Sequence, residues 1–185
     1  LLVGAIFLSG CFSLSVHPLY DEDSQAYEPG LLGLWGDPDN EETGSWEFLP
    51  LGDHAYRLII REGNNLRVDP ETDGVFEAHL VRLNGHLYLD LFPEEPPMGN
   101  DIYKSHIVPA HSFWRVKLEG HVLVLGLFGS SFLEKALEDG TITTSHIMRE
   151  GVLVFTAPTS EVKDLVARFS DQVFDDGETM KRIQQ

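Results

Sequence analysis

The chain has 185 residues, of which 13 are basic and 30 acidic, for a formal net charge of −17. A surface that negative repels phosphate backbones and anionic lipid headgroups, which excludes a nucleic-acid partner and peripheral electrostatic binding to a membrane. With 42% hydrophobic and 10% aromatic residues, the chain can bury a real core of single-domain size, and its one cysteine leaves that core without an intrachain disulfide.

The first element is an apolar run, Leu1 to Leu8, ending in Leu8-Ser9-Gly10-Cys11. It is too short for a bilayer core, which needs about 20 residues, and it has the length and character of the apolar region of a signal peptide. Residue 1 is not Met and no basic stretch precedes the run, so the numbered chain is expected to start inside a precursor. Leu-Ser-Gly-Cys resembles the lipobox of bacterial lipoproteins. The resemblance implies a diacylglycerol thioether on Cys11, cleavage before it, and acylation of the new amino terminus. Small Ser9 and Gly10 suit peptidase access, and a thiol is the nucleophile that lipid transfer needs. An uncleaved anchor and an ordinary buried cysteine stay open as alternatives. Phe12 stands where an Asp signals inner-membrane retention in enterobacterial lipoproteins, which points to the outer membrane, with the domain facing the periplasm.

The chain is therefore divided into a signal remnant over 1–10, a lipidated cysteine and extended strap over 11–30, and one β-rich domain over 31–185. Within the strap, His17-Pro18-Leu19-Tyr20 precedes acidic Asp21, Glu22 and Asp23, and Pro18, Pro29 and Gly30 argue against a continuous helix.

The body is punctuated by turns. Asn84-Gly85, a type I′ hairpin signal, separates Val75–Leu83 from His86–Leu91. Glu119-Gly120 separates His111–Leu118 from His121–Phe128, and Glu150-Gly151 separates Thr143–Arg149 from Val152–Ala157. Glu62-Gly63-Asn64-Asn65 ends the run Ala55–Arg61. Strands of six to nine residues between such turns predict an antiparallel meander curled into a barrel-like sheet: a mainly β fold with two helices, the C-terminal one packed on the sheet. Counting outward from Asn84-Gly85 pairs Leu83 with His86, Val81 with Tyr88 and His79 with Asp90. One face then carries Phe76, Ala78, Leu80, Leu87, Leu89 and Leu91; in the second hairpin Trp114, Val116, Leu123, Leu125 and Leu127 share a face, opposite His111, Arg115 and Lys117. These faces are expected to form the core. Pro93–Asp101 is expected to be a long exposed loop. Ser131 with Glu134 reads as a capping box for one helix, stopped at Gly140. Ser160 is expected to cap the last, whose stripe is Val162, Leu165, Val166 and Phe169 and which is expected to close over the hairpin faces.

Leu32-Gly33-Leu34-Trp35 opens the first strand of the body, followed by Trp46-Glu47-Phe48 and Tyr56-Arg57-Leu58. A Gly-x-Trp there resembles lipocalins and related calycin barrels. The resemblance implies that Gly33 lets the chain turn in, that Trp35 plugs the closed end, and that an arginine packs on Trp35: Arg115, Arg149 or neither. The lipocalin Thr-Asp-Tyr segment is absent. Separately, His17-Pro18-Leu19-Tyr20 through Gly33-Leu34-Trp35, with Leu89-Asp90-Leu91 and Val108-Pro109-Ala110-His111-Ser112-Phe113, resembles a family of uncharacterised bacterial lipoproteins. That likeness implies architecture only.

Asp37-Pro38-Asp39-Asn40-Glu41-Glu42 fails the EF-hand pattern, with Glu42 where glycine is required and Phe48 where the bidentate glutamate belongs. A looser calcium site stays open beside a solvated acidic turn. None of the eight histidines forms His-x-x-x-His or has a cysteine partner, so no metal or other cofactor is expected. Gly-x-Ser-x-Gly, His-Glu-x-x-His and a phosphate loop are absent, and nothing positions a serine beside His79 and Asp90 as a triad would need. No catalytic residue is assigned. Two functions remain: a non-catalytic accessory subunit docked on a cell-envelope complex, or a lipocalin-like module binding a small apolar ligand, with Trp35, Tyr88 and Trp114 as candidate contacts.

Overall fold

The computed structural model describes residues 13–37, 44–62, 69, 72–95, 100–129 and 131–183. These form β1 (Ser13–Ser15), β2 (Gln25–Ala26), a 3-10 turn (Pro29–Leu31), β3 (Gly33–Gly36), β4 (Ser45–Leu51), β5 (Ala55–Arg61), β6 (Gly74–Leu83), β7 (His86–Pro93), α1 (Asp101–Lys104), β8 (His111–Glu119), β9 (Val122–Leu127), α2 (Ser131–Glu138), β10 (His146–Arg149), β11 (Val152–Phe155), α3 (Thr159–Val173) and β12 (Glu178–Arg182).

Seven strands, β3 to β9, follow one another as antiparallel neighbours, and β12 pairs with both β9 and β3, so eight strands close into a barrel. Closure removes the free edges that a meander of this length would otherwise expose. The Asn84-Gly85 register is as counted from the sequence: Leu83 faces His86, Val81 faces Tyr88 and His79 faces Asp90. Both turn residues have positive φ, 49° and 82°, as a type I′ turn requires. In the second hairpin Glu119 pairs with Val122, so the two-residue turn is Gly120-His121, one position later than expected. The inward set is unchanged, because Trp114 now faces Leu127 and Val116 faces Leu125.

Two cores result, one on each side of the barrel wall. The inner one gathers Trp35, Phe48, Tyr56, Leu58, Leu80, Leu89 and Leu123. The outer one gathers Val81, Tyr88, Phe113, Phe128, Val162, Leu165, Val166 and Phe174. This corrects the expected place of the last helix. α3 covers the opposite face of the first hairpin, the one carrying Val81 and Tyr88, while the Leu80–Leu89 face looks into the barrel. Alternation could not reveal this, because Val81, Tyr88 and Phe113 are as fully buried as their inward neighbours.

The helix ends also differ. The N-cap of α3 is Pro158, without a side-chain cap, so Ser160 lies inside the first turn. α2 begins at Ser131 itself, so Ser131 lies within the helix rather than before it. A third helix, α1, sits at the end of the expected Pro93–Asp101 loop, capped by the Asn100 side chain accepting from the Tyr103 N–H. In α3 the helical backbone breaks at Phe169 (φ −121°, ψ 20°). That residue is half-buried and packs at a tilt against Phe132 at 5.5 Å, whereas Leu165 is almost wholly buried. Leu165→Ala should therefore destabilise by about 2–5 kcal/mol and Phe169→Ala by less, an order that urea unfolding of the two variants checks.

The segment read as an extended strap pairs with the sheet at two places. β1 lies between β8 and β11, antiparallel to the first and parallel to the second, and β2 extends the edge of β6. The order β8-β1-β11-β10 makes a three-stranded flap that flares off the barrel at the start of β8.

Candidate functional site

Two arrangements stand out: a polar cluster on the outer wall and the aromatic filling of the barrel. The first is built from stretches far apart in sequence. Asp90 points outward from β7 and is 1% exposed. Its Oδ2 accepts the Leu19 backbone N–H at 2.6 Å, and its Oδ1 lies 2.7 Å from His111 Nδ1. An ionised carboxylate only accepts, so His111 Nδ1–H is the donor. Phe92 packs on the His111 ring at 4.6 Å. His79, the register partner of Asp90, turns to its own strand: Nε2 meets Glu77 Oε1 at 2.7 Å, and Tyr20 stacks on the ring at 3.9 Å and 22°. His79 Nδ1 is buried without a partner. Burial raises the Tyr20 phenol pKa above its ordinary value, helped by the nearby Asp90 and Glu77 carboxylates.

The His17–Tyr20, Leu89–Leu91 and Val108–Phe113 stretches therefore meet at Asp90. Ser15, the register partner of His111, donates its hydroxyl to the His17 carbonyl at 2.6 Å, and His79 is paired with Glu77 rather than Asp90, so the serine triad weighed from sequence does not assemble here. Beyond the cluster, the hydrogen bond from Lys163 of α3, at 2.5 Å, holds the Asp21 carboxyl down at about 2 and ties the segment to the last helix. The chemistry of the cluster is that of a latch: charge-assisted bonds that fix an irregular segment against a sheet.

The second arrangement fills the barrel. Trp35 is fully buried and its Nε1–H donates to the Leu31 carbonyl at 2.8 Å. The Arg182 guanidinium lies over its ring at 4.3 Å and donates to the carbonyls of Leu32 and Gly30. The arginine on Trp35 is thus neither Arg115, which pairs with Asp171 of α3 at 2.8 Å, nor Arg149, on β10. Gly33 has φ +123°, a backbone conformation that favours glycine, and a Cβ there would stand 2.5 Å from Arg182 Nη1 and push the guanidinium aside. The Tyr56 hydroxyl accepts the Glu28 N–H at 2.7 Å, and burial pushes its pKa up to about 12.

Trp46 of β4 and Trp114 of β8 come from strands diametrically opposite in the eight-membered ring, yet their rings meet edge to face at 5.1 Å. The lumen is spanned at that level by side chains. Of the three candidate ligand contacts, Trp35 lies in the inner core and Trp114 packs against it. Tyr88 points out of the barrel, and its hydroxyl is 2.7 Å from the Ser170 hydroxyl of α3, which places it in the outer core.

Cys11 and most of the acidic turn, residues 38–43, lie outside the described residues. Among the described residues no group of three His, Cys, Asp or Glu side chains is placed to hold a metal, and no helix is long and apolar enough to cross a membrane. Sequence reasoning missed Leu19, Tyr20, His111 and Arg182 as partners. The first three sat in stretches already singled out, and the outward parity of His111 with Asp90 was available once β7 and β8 are paired. For Arg182 the sequence carries no signal. In comparisons with known proteins, the chain matches no family model, no curated protein and no solved structure.

Proposed function

We propose that this protein is a lipid-anchored, non-catalytic accessory subunit of a cell-envelope complex, held through Cys11 to a membrane and facing the periplasm, with the outer membrane favoured by Phe12. The observation that carries the non-catalytic scaffold reading is the Trp46–Trp114 contact across the barrel. A ligand chamber needs several hundred cubic ångströms of free space within its walls, and rings from opposite walls that touch take up that space. The anchor rests on Leu8-Ser9-Gly10-Cys11.

A second reading has its own observation. The Arg182 guanidinium over the Trp35 ring, with Gly33 beside it, is the kind of contact that the Gly-x-Trp likeness to lipocalins implies for the closed end of a barrel. The long connections 37–44, 62–73 and 94–110 all leave from the other end, where lipocalin-like barrels admit small apolar ligands. The two readings separate in one experiment. The protein is purified from native membranes in mild detergent and its intact mass recorded under native and denaturing conditions. The accessory reading expects acyl mass on Cys11, a protein partner in stoichiometric amount and no retained small molecule. A stoichiometric apolar molecule released on denaturation would overturn it in favour of the ligand-binding reading, and a chain without acyl mass would remove the anchor from both.

A further inference from the structure

The outward face of the flap has a composition unlike the rest of the molecule. In β1 and β11 the residues Ser13, Ser15, Leu153 and Phe155 turn toward the outer core and are buried, whereas on β10 the same face carries His146 and Met148, which are exposed. The opposite face continues the inner wall of the barrel beyond β8, because Leu14 is paired with Ser112, but here the barrel has ended and nothing among the described residues closes over it. Register puts Leu14, Val154 and Ile147 in one row across the three strands, with Val152 beside Arg149 in the next outward row. Val16, just past β1, is 38% exposed and Ile147 51%; Leu14, Val152 and Val154 are half-buried. A solvated sheet face alternates to polar residues. This one is aliphatic, and its one charged strand residue is basic, in a chain with 30 acids.

From this face and from the position of Cys11 we infer that the flap lies directly on the lipid bilayer, with Leu14, Val154 and Ile147 against the headgroup–acyl boundary. The inference rests on the lipoprotein reading above. Cys11 precedes Ser13 by two residues, a span of at most about 7 Å. A lipid on that cysteine would hold β1, and with it the whole flap, within contact distance of the membrane. Elsewhere the acidic surface is repelled by anionic headgroups; the aliphatic face with Arg149 is the one side of the flap free of that repulsion. Apolar area buried in the interface then adds to the acyl chains and sets the orientation in which the domain meets its partners.

The test uses the full chain, acylated at Cys11, in vesicles of phosphatidylethanolamine and phosphatidylglycerol. Cys11 is the only cysteine, so Ile147→Cys, Val154→Cys and, as a control at the far turn, Glu119→Cys each add one free thiol for a nitroxide. Labels at 147 and 154 should lose collisions with an aqueous nickel chelate and gain collisions with lipid-dissolved oxygen, while the label at 119 stays aqueous. If 147 and 154 remain as aqueous as 119 in protein whose mass shows the acyl chains, the inference fails and the lipoprotein reading stands. Protein lacking the acyl mass would defeat that reading, and this one with it. Spin–spin broadening between labels at 147 on two molecules would assign the face to a second copy of the chain and overturn the membrane contact.

Discussion

Replacing Asp90 by alanine should destabilise the domain by about 2–6 kcal/mol, the range for leaving two buried hydrogen-bond donors without their acceptor. The carboxylate is 1% exposed and accepts from the Leu19 N–H and from His111 Nδ1. Alanine leaves both donors buried, and each unsatisfied donor alone costs about 1–3 kcal/mol. Asp90→Asn should cost less, since an amide oxygen still serves one donor. The loss is also expected to be local before it is global. With Leu19 released, the 17–20 segment detaches from the wall, Tyr20 leaves the His79 ring, and hydrogen exchange of the Leu19 amide accelerates ahead of the barrel amides. Urea unfolding of Asp90→Ala and Asp90→Asn, with amide exchange at Leu19, makes the check. A change in Asp90→Ala below about 0.5 kcal/mol, the level of an ordinary surface substitution, would mean that Asp90 does not hold the latch. A double-mutant cycle with His111→Ala then reads the coupling of the two side chains directly.

Legibility in the sequence followed physical kind. The Asn84-Gly85 hairpin was legible to the residue because a two-residue turn with positive φ fixes register by itself, and the apolar alternation agrees with it. Glu119-Gly120 was misplaced by one position because only Gly120 has the turn conformation, and its neighbour in the turn is His121 rather than Glu119. The inward faces survived that error, since both strand ends moved together. The place of α3 was not legible. Both faces of β6, β7 and β8 bury large side chains at their middles, and alternation distinguishes faces only where one of them is polar. The barrel-like sheet was legible, but its closing strand was not, because the five residues Glu178–Arg182 of β12 include one apolar side chain, Met180. The polar cluster was half legible: its stretches stood out as sequence, and the His79–Asp90 pairing was counted correctly, but the preference of Asp90 for His111 and Leu19 is a tertiary choice made by the β7–β8 pairing.

Trp35→Ala should be the most damaging change inside the barrel, at about 3–5 kcal/mol for truncating a buried aromatic. The ring is fully buried, and its loss leaves a cavity in the inner core that the barrel's continuous hydrogen-bonded wall cannot collapse to fill. It also orphans the Leu31 carbonyl, which now accepts from Nε1 at 2.8 Å, and removes the surface on which the Arg182 guanidinium rests at 4.3 Å. Trp35→Phe keeps most of the apolar area and gives up the indole N–H, so it should cost less than half as much as the alanine change. Arg182→Ala separates the remaining contribution. A cation over an indole ring contributes about 0.5–2 kcal/mol, and the guanidinium also bonds the carbonyls of Leu32 and Gly30, which fixes the turn that leads into β3. Arg182→Ala should therefore shift the unfolding midpoint measurably and loosen that turn, seen as faster exchange of the Leu31 and Leu32 amides. If Trp35→Ala costs less than about 1 kcal/mol, Trp35 does not hold the inner core. If Arg182→Ala and Trp35→Ala add independently in a double-mutant cycle, the stacked pair is adjacency without coupling, and the hold on that turn falls to Tyr56 and its two bonds to the Glu28 backbone.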